Sequence, residues 1–359
     1  MKKFLLVLGI LLVCVIITVM GGLIYYKNQL GPVSNSSEKV EFVVEQGDNY
    51  YTVATKLKKL GLIKSSEVYK IYLKLNPQKN KLNVGIYYLS PNMGVSKIIN
   101  TLSKGDAEST DIKITFKEGK NMRYIAKTIA DNTDNSEDDV YNLLKDQTYL
   151  NELITNYWFI DKRILNTNIY YSLEGYLYPN TYSFKDKKVT VKEIFKVMLD
   201  ETNKKIEPYK NDIINSKYSF HQIATLASIV ELEAGEKYRA DVAGVFFNRL
   251  EQNMPLGSDV TTYYAAKVDM GERDLYTDEL NDVNHYNTRV QAAAGKLPVG
   301  PICNPSISSI AAVLKPNNNS YYYFVADKNG EVHFTNTYEE HLKVIQQLKD
   351  SNLWYVYQK

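Results

Sequence analysis

Two glutamates near the end of an apolar stretch have the residue type and setting for acid–base chemistry. Glu231 and Glu233 stand in SIVELEAG, and the residues before them have helical spacing. The spacing predicts a helix over roughly 221–234, joined at Gly235 to a second helix. Because two residues on a helix are about 200° apart around the axis, the two side chains cannot face the same way.

The two acids are predicted to lie on different helix faces. Glu233 continues a row of large apolar residues: Leu226, Ile229 and Val230. Glu231 continues a row of small residues, where another element can approach closely: Ala224, Ala227 and Ser228. An apolar setting disfavours the charged carboxylate and raises its pKa, as a general acid near neutral pH requires. The alternative is that one acid pairs with a buried arginine while the other meets solvent.

Composition excludes several classes of protein. The chain has 359 residues, with 43 Lys plus Arg against 41 Asp plus Glu, and a net charge of +2. This balance, without a basic stripe, argues against nucleic acid as a partner. The four histidines lack metal-ligand spacing, so we predict no metal and no cofactor. Cys14 and Cys303 are too differently placed to form an internal disulfide.

The N-terminus predicts a single membrane anchor. Residues 4–26 are uncharged and apolar, enough to span a bilayer as a helix. Lys2 and Lys3 precede this span, so residues 1–3 are predicted to be cytoplasmic and the rest of the chain to lie on the extracytoplasmic face of the cell membrane. The polar residues 27–39 then read as a short flexible tether.

An α+β architecture is predicted for the rest of the chain. In residues 40–107 the patterns VEFVV and GIYYLS indicate two strands, with two helical stretches between them and one after them. They form a small α+β module. The larger part, 108–359, mixes helices with short strands, including a hairpin around Lys328-Asn329-Gly330 and a final helix over 338–348. Asp259 follows a turn and begins a helix or strand, where Ser or Asp is often a cap.

The segment 172–184, SLEGYLYPNTYSF, is rich in tyrosine and contains Glu174. Its glycine and proline predict an ordered loop beside a strand. Such a loop is a candidate cleft wall; the alternative is a packed turn with Glu174 at its rim.

Taken together, these phrases resemble the YceG-like family of endolytic murein transglycosylases over nearly the whole chain. The resemblance is carried, in this order, by LEGYLYPNTYSF, ASIVELEAG, VAGVFFNRL, MPLGSD, YNT, LPVGPICNP, YYYFVAD and HFTNTYEEH. It implies that the small module is a LysM-like subdomain and that 108–359 is a catalytic domain cutting peptidoglycan glycan strands internally. It also implies that the second acid of the E-x-E phrase, Glu233, is the catalyst, with Glu231 as the fallback.

The resemblance also directs the choice of substrate-binding candidates. These are Glu174, Tyr178, Tyr182, Asn248, Arg249, Ser258, Asp259, Tyr286, Asn287 and Thr288. The alternative for Arg249 is a fold-holding pair with Glu231 or Asp259. Three departures from the family pattern are present: the spacing between Glu233 and Arg239 is one residue shorter than in many relatives, and Val260 and Val299 stand where a proline is common.

The implied reaction needs one acid and no water. Glu233 would protonate the leaving glycosidic oxygen, and its carboxylate would then take the C6 hydroxyl proton as a 1,6-anhydro ring closes. This would occur on nascent strands, beside membrane-bound wall synthases as partners, and would terminate elongation. Two rivals remain: a hydrolytic muramidase with Asp259 or Glu174 as second carboxylate, and a non-enzymatic, membrane-tethered peptidoglycan-binding scaffold.

Overall fold

A computed structural model provides the structure of the chain. It describes residues 2–45, 47–78, 82–104 and 112–354, with side chains from residue 11 onward. The chain forms two compact units that meet in sequence at Ile112. The predicted boundary at 107–108 falls within 105–111, outside the described residues.

The first unit opens with helix α1, Lys2–Leu30. Residues 11–30 of this helix are long and apolar enough to cross a membrane. The helix continues four residues past the predicted end of the span, into the predicted tether. The tether is also held beyond the helix, because the amides of Val33 and Ser34 donate to the Pro91 carbonyl oxygen at 2.9 and 3.2 Å. The expectation of a freely flexible tether over 27–39 is therefore wrong for these residues.

The small α+β module follows in the predicted order. Its elements are β1 (Val40–Val44), α2 (Val53–Lys59), α3 (Ser66–Leu75), β2 (Gly85–Leu89) and α4 (Val95–Lys104). Strands β1 and β2 pair antiparallel, with Val40 opposite Leu89. One face of the pair and the inner faces of the helices bury a common core that includes Phe42, Leu57, Tyr69, Tyr87 and Ile98. The period-two and helical patterns of the sequence therefore predicted these strands and helices correctly.

The second unit is mixed α+β, as predicted. Its first half contains β3 (Ile112–Thr115), α5 (Met122–Asn132), α6 (Glu137–Leu143), α7 (Gln147–Asn156), β4 (Thr181–Phe184), α8 (Val191–Ile206) and α9 (Lys210–Ile214). Its second half contains α10 (Phe220–Glu233), α11 (Arg239–Glu251), α12 (Asp259–Ala265), α13 (Thr277–Asn281), α14 (Ile307–Leu314), β5 (Tyr323–Ala326), β6 (Val332–Thr335) and α15 (Tyr338–Asp350). Strand β3 pairs with β4, and β5 pairs with β6 in the predicted hairpin.

Helix α10 is the central element of the second unit. Its residues from Phe220 to Val230 are buried except for Gln222, because α11, α12 and α14 pack around it. The Ser219 side chain and Gln222 form a capping box that starts the helix, which ends at Glu233. A short 3₁₀ turn, Glu236–Tyr238, then leads into α11. The predicted helix pair joined at Gly235 is confirmed.

The tyrosine-rich loop before β4 belongs to the core. Leu173 and Tyr176 are fully buried. Gly175 has a φ of +82°, and a β-carbon there would overlap the Pro301 ring, so the chain needs glycine at this close approach. The prediction of an ordered loop beside a strand is confirmed, whereas its description as a cleft wall is wrong for these buried residues.

Candidate functional site

Glu233 is the last residue of α10, and its carboxyl is half-buried. The Ser258 hydroxyl donates a hydrogen bond of 2.5 Å to Glu233 Oε1. Burial raises the pKa of Glu233 above its ordinary value, while the Ser258 hydroxyl and the positive charge of Arg249 act in the opposite direction. A carboxyl in this setting can hold a proton at higher pH than an exposed glutamate, as a general acid must.

Ser258 reaches Glu233 from the residue that precedes α12. Its own backbone N–H donates to Thr288 Oγ1 at 3.1 Å, and the side chain makes no capping hydrogen bond with α12. The hydroxyl that would ordinarily cap the helix is thus directed to the acid. The preceding Gly257 has a φ of +63°, and a β-carbon there would lie 3.0 Å from Arg249 Nη1. The MPLGSD turn therefore has to pass close to Arg249 to present Ser258.

Arg249 is half-buried behind this turn. Its Nε donates to the Tyr322 carbonyl oxygen at 2.6 Å and its Nη1 to the Leu256 carbonyl oxygen at 2.5 Å. The guanidinium carbon lies 5.3 Å from the centre of the Tyr323 ring. Carbonyl oxygens carry no net charge, so they do not neutralise the positive charge of Arg249. This charge lowers the pKa of Glu233. The alternative pairing of Arg249 with Glu231 or Asp259 is wrong.

Glu231 is enclosed by donors and has a structural position. Arg239 Nη2 lies 2.8 Å from one of its oxygens. Its other oxygen accepts from the Ser306 amide at 2.9 Å, the Ser306 hydroxyl at 2.6 Å and the Ser309 hydroxyl at 2.7 Å. Helix α14 thus approaches the small-residue face as predicted. The alternative is right that one acid pairs with an arginine, although Arg239 is only partly buried, and it is wrong for Glu233, which bonds to Ser258 and is half-buried.

Glu174 is only 1% exposed, so neither a cleft wall nor a rim describes it. Its carboxyl accepts from the Met122 amide at 2.9 Å, the Tyr264 hydroxyl at 3.0 Å and Asn304 Nδ2 at 3.1 Å. Burial raises the pKa of Glu174 to about 8 in spite of these donors and the nearby Arg123. This acid ties three distant segments together and does not reach a surface where a polysaccharide could bind.

Tyr178, Tyr182 and Asn248 also hold the fold. Both tyrosines are at least nine-tenths buried. The Tyr182 hydroxyl donates to the Tyr178 carbonyl oxygen at 2.7 Å. Asn248 Nδ2 donates to the carbonyl oxygens of Asn319 and Tyr321, both at 2.9 Å, and so fixes the segment that leads into β5.

The YNT phrase lies behind Ser258. Tyr286, Asn287 and Thr288 are each 1% exposed. Tyr286 accepts from the Tyr170 amide, and Asn287 from the Thr262 hydroxyl. Of the three, Thr288 has described hydrogen bonds with Ser258: its hydroxyl oxygen accepts from the Ser258 amide and its hydroxyl donates to the Ser258 carbonyl oxygen at 3.4 Å. Asp259 is exposed and forms an ion pair with Arg289.

The structure therefore brings Glu233, Ser258, Arg249 and Thr288 together. Asp259 lies in a surface ion pair, and the other candidates make hydrogen bonds that hold the fold. Sequence reasoning missed the donors that hold the two structural acids: Arg239, Ser306 and Ser309 for Glu231, and Asn304 and Tyr264 for Glu174. The signal available was that buried carboxyls need donors, and the CNPSISS stretch supplies three of these five.

One departure from the family pattern has a visible structural counterpart. The backbone N–H of Val299 donates to the His285 carbonyl oxygen at 3.0 Å. A proline at this position has no N–H to donate. Valine therefore adds a hydrogen bond between the LPVGP loop and His285, the residue before the YNT segment. The Val299 carbonyl oxygen, which a proline would also have, is bonded to His221 Nε2 at 2.9 Å.

Fold and site together define a class: a two-unit α+β protein with an N-terminal helix apolar enough to span a membrane and a shielded carboxylic acid at the end of its central helix. Residues 42–347 match the YceG-like family, and the chain belongs to that family.

Individual relatives agree with this assignment. The chain is 38% identical over 326 residues to the endolytic murein transglycosylase of Bacillus subtilis, covering 90% of this chain and 89% of the relative. It is 28% identical over 347 residues to that of Streptococcus pneumoniae, covering 92% of this chain and 62% of the longer relative. Its fold is similar to the crystal structure of a YceG-like protein from Listeria monocytogenes, with a TM-score of 0.61, 32% identity, and coverage of 86% of this chain and 100% of that one.

Proposed function

We propose that this protein is an endolytic peptidoglycan lytic transglycosylase with Glu233 as its catalytic acid. The observation that carries the proposal is the half-buried Glu233 carboxyl, which has a raised pKa and receives the Ser258 hydroxyl. Relatives named endolytic murein transglycosylases support the substrate class.

In the proposed mechanism, Glu233 gives its proton to the oxygen that joins N-acetylmuramic acid to the next N-acetylglucosamine, and that C–O bond breaks. The acetamido group of the substrate stabilises the positive charge that develops at C1. The Glu233 carboxylate then removes the proton of the C6 hydroxyl, whose oxygen bonds to C1 and closes the 1,6-anhydro ring. Ser258 supports the second half, because its hydroxyl donates to the ionised form of the acid.

The geometry favours one acid over a hydrolytic pair. The two proposed second carboxylates are both engaged elsewhere. Glu174 is buried and accepts three hydrogen bonds, and Asp259 pairs with Arg289 on the surface. No described hydrogen bond or ion pair joins the side chain of either to Glu233 or to Ser258. A hydrolase would need a carboxylate placed across the scissile bond from the acid.

The test is digestion of uncrosslinked glycan strands by the full-length protein in detergent, with product masses read out. Wild type should yield anhydro ends, which are one water lighter than reducing ends. Glu233→Gln should lower the rate on the order of 10²- to 10⁴-fold, because it removes the proton that is transferred. The matched control is Glu236→Gln, three residues further on and exposed, which should cleave at the wild-type rate.

Three results would contradict the proposal. Full activity in Glu233→Gln would exclude this residue as the acid. Reducing ends in place of anhydro ends would establish a hydrolase. Strand binding by wild type without cleavage would favour the scaffold.

The other parts of the chain support the same activity. We propose that the β1–α2–α3–β2–α4 module is a LysM-like subdomain. Helix α1 would anchor the protein with Lys2 and Lys3 in the cytoplasm and the second unit on the extracytoplasmic face. An endolytic cutter held there would meet nascent strands beside membrane-bound wall synthases and would terminate their elongation.

A further inference from the structure

Three aromatic side chains cluster where α15 packs on β5, and one of them, Tyr338, is exposed while the other two are half-buried. The Tyr323 ring centre lies 5.7 Å from that of Tyr338 and 5.5 Å from that of His341. The rings of Tyr338 and His341 are 6.4 Å apart. Tyr338 is the first residue of α15, and 59% of its surface is exposed. We refer to Tyr323, Tyr338 and His341 as the aromatic cluster.

The cluster leaves interactions unused. An aromatic ring gains most of its stabilisation from burial, yet much of Tyr338 faces solvent. His341 Nδ1 is buried and has no hydrogen-bond partner in the structure, and such atoms are rare in native proteins. The sequence places Tyr338 and His341 in HFTNTYEEH, a phrase to which the proposed reaction assigns no role. An exposed Tyr338 ring packed against two half-buried rings fits a surface that is completed by a ligand.

The cluster is continuous with the acid through Arg249. The Arg249 guanidinium carbon lies 5.3 Å from the Tyr323 ring centre, on the stack that ends in Tyr338. Arg249 Nη1 donates to the Leu256 carbonyl oxygen, two residues before Ser258. The hydroxyl of Ser258 in turn bonds Glu233. Glu233, Ser258, Arg249 and the aromatic cluster are therefore linked by successive contacts.

We propose that the aromatic cluster is a sugar-stacking subsite that holds one pyranose ring of the glycan strand on the Arg249 side of Glu233. The apolar C–H face of the sugar lies on the Tyr338 ring, and its polar edge remains in water, as suits a residue with an apolar body and a polar tip. This assignment rests on the proposed function for the identity of the strand. A protein partner would instead use the helix surface as a whole, including Leu342, one turn further along α15 and 47% exposed.

The experiment measures affinity without turnover. Full-length Glu233→Gln protein in detergent is titrated with uncrosslinked glycan strands, alone and combined with Tyr338→Ala, Tyr338→Phe or Leu342→Ala. We expect Tyr338→Ala to weaken binding about tenfold, the order expected for one aromatic contact. Tyr338→Phe keeps the ring and should stay within about twofold. The surface control is Tyr276→Ala, which should leave the affinity for glycan strands unchanged. Tyr276 is 65% exposed and packs on Arg273 outside the cluster.

Unchanged affinity in Tyr338→Ala would overturn the subsite. So would equal losses in Tyr338→Ala and Tyr338→Phe, since the hydroxyl and not the ring would then bind. An equal loss in Leu342→Ala would also overturn it, because the helix surface and not the stacked ring would then determine affinity. Equal thermal midpoints for all variants verify that they fold alike.

Failure of the subsite and failure of the proposed activity can be told apart. In protein that retains Glu233, Tyr338→Ala should raise KM about tenfold and leave kcat within about twofold, because it removes a contact far from the reacting bond. Glu233-dependent cleavage with an unchanged KM would overturn the subsite and leave the activity intact. Weaker strand binding in Tyr338→Ala with no cleavage by wild type would support the subsite and overturn the activity.

Discussion

Replacing Glu174 with glutamine tests whether this acid holds the fold or binds substrate. Glutamine preserves the shape of the side chain but replaces one carboxyl oxygen by an NH₂ group. One oxygen of Glu174 accepts from both the Met122 amide and the Tyr264 hydroxyl, so the amide oxygen of glutamine would take that place. Its NH₂ would then face Asn304 Nδ2, another donor. Asn304 cannot turn over freely, because its Oδ1 accepts from the Leu177 amide at 2.9 Å.

The size of the effect depends on pH. A buried polar group left without its partner costs about 1–3 kcal/mol. The pKa of Glu174 in the folded protein is raised to about 8 from an ordinary value of 4.5. Between these two values the folded state binds the proton more readily than the unfolded state, so the free energy of unfolding falls as pH rises. The slope is about 1.4 kcal/mol for each pH unit in that window.

Glutamine cannot ionise and lacks this slope. Glu174→Gln should therefore be less stable than wild type near pH 5, and the difference should narrow or reverse by pH 8. The assay is the thermal midpoint of the full-length protein in detergent, followed by near-ultraviolet circular dichroism. For a unit of this size about 1 kcal/mol corresponds to about 2–4 °C. Other titrating groups are common to both proteins, so they cancel in the difference.

Two results would refute this reasoning. A stability difference that stays constant from pH 5 to pH 8 would exclude a raised, fold-linked proton on Glu174. A higher KM for glycan strands in Glu174→Gln, with an unchanged thermal midpoint, would return Glu174 to the substrate-binding group.

Two further predictions concern the acids of α10. Ser258→Ala removes a donor to ionised Glu233, so the pKa of Glu233 should rise and the alkaline limb of the pH profile of kcat/KM should move to higher pH. Ser258→Thr keeps a hydroxyl and should retain the wild-type profile. An unshifted alkaline limb in Ser258→Ala would contradict the contact. Glu231→Ala leaves Arg239 without its carboxylate and should cost about 3–5 kcal/mol. A large drop in the thermal midpoint is expected, and loss of activity without such a drop would contradict a structural role.

Local signals predicted most of the elements of this protein. The alternation of VEFVV, the helical spacing before Glu231 and the hairpin turn at 328–330 each reflect contacts within a few residues. The start of α10 is equally local, because the Ser219 side chain accepts from the Gln222 amide three residues further on. Helical periodicity also placed Glu231 and Glu233 on different faces, because the rotation per residue is a property of the backbone itself.

The role of each acid depended on contacts that local patterns do not encode. The partners of Glu174 lie 52, 90 and 130 residues away in sequence, and Ser258 lies 25 residues from Glu233. A loop rich in tyrosine looks the same in sequence whether it lines a cleft or fills a core, so Glu174, Tyr178 and Tyr182 were placed at the wrong depth.

The sequence by itself determined the family, the order of the elements and the helix that carries the acid. Only the tertiary structure decided that Glu231 is enclosed by α14 and Arg239, that the Ser258 hydroxyl is directed to Glu233 instead of capping α12, and that Arg249 contacts carbonyl oxygens. The physical reason is that periodicity defines which face a side chain occupies, whereas its pKa and its partners depend on what the rest of the chain packs against that face.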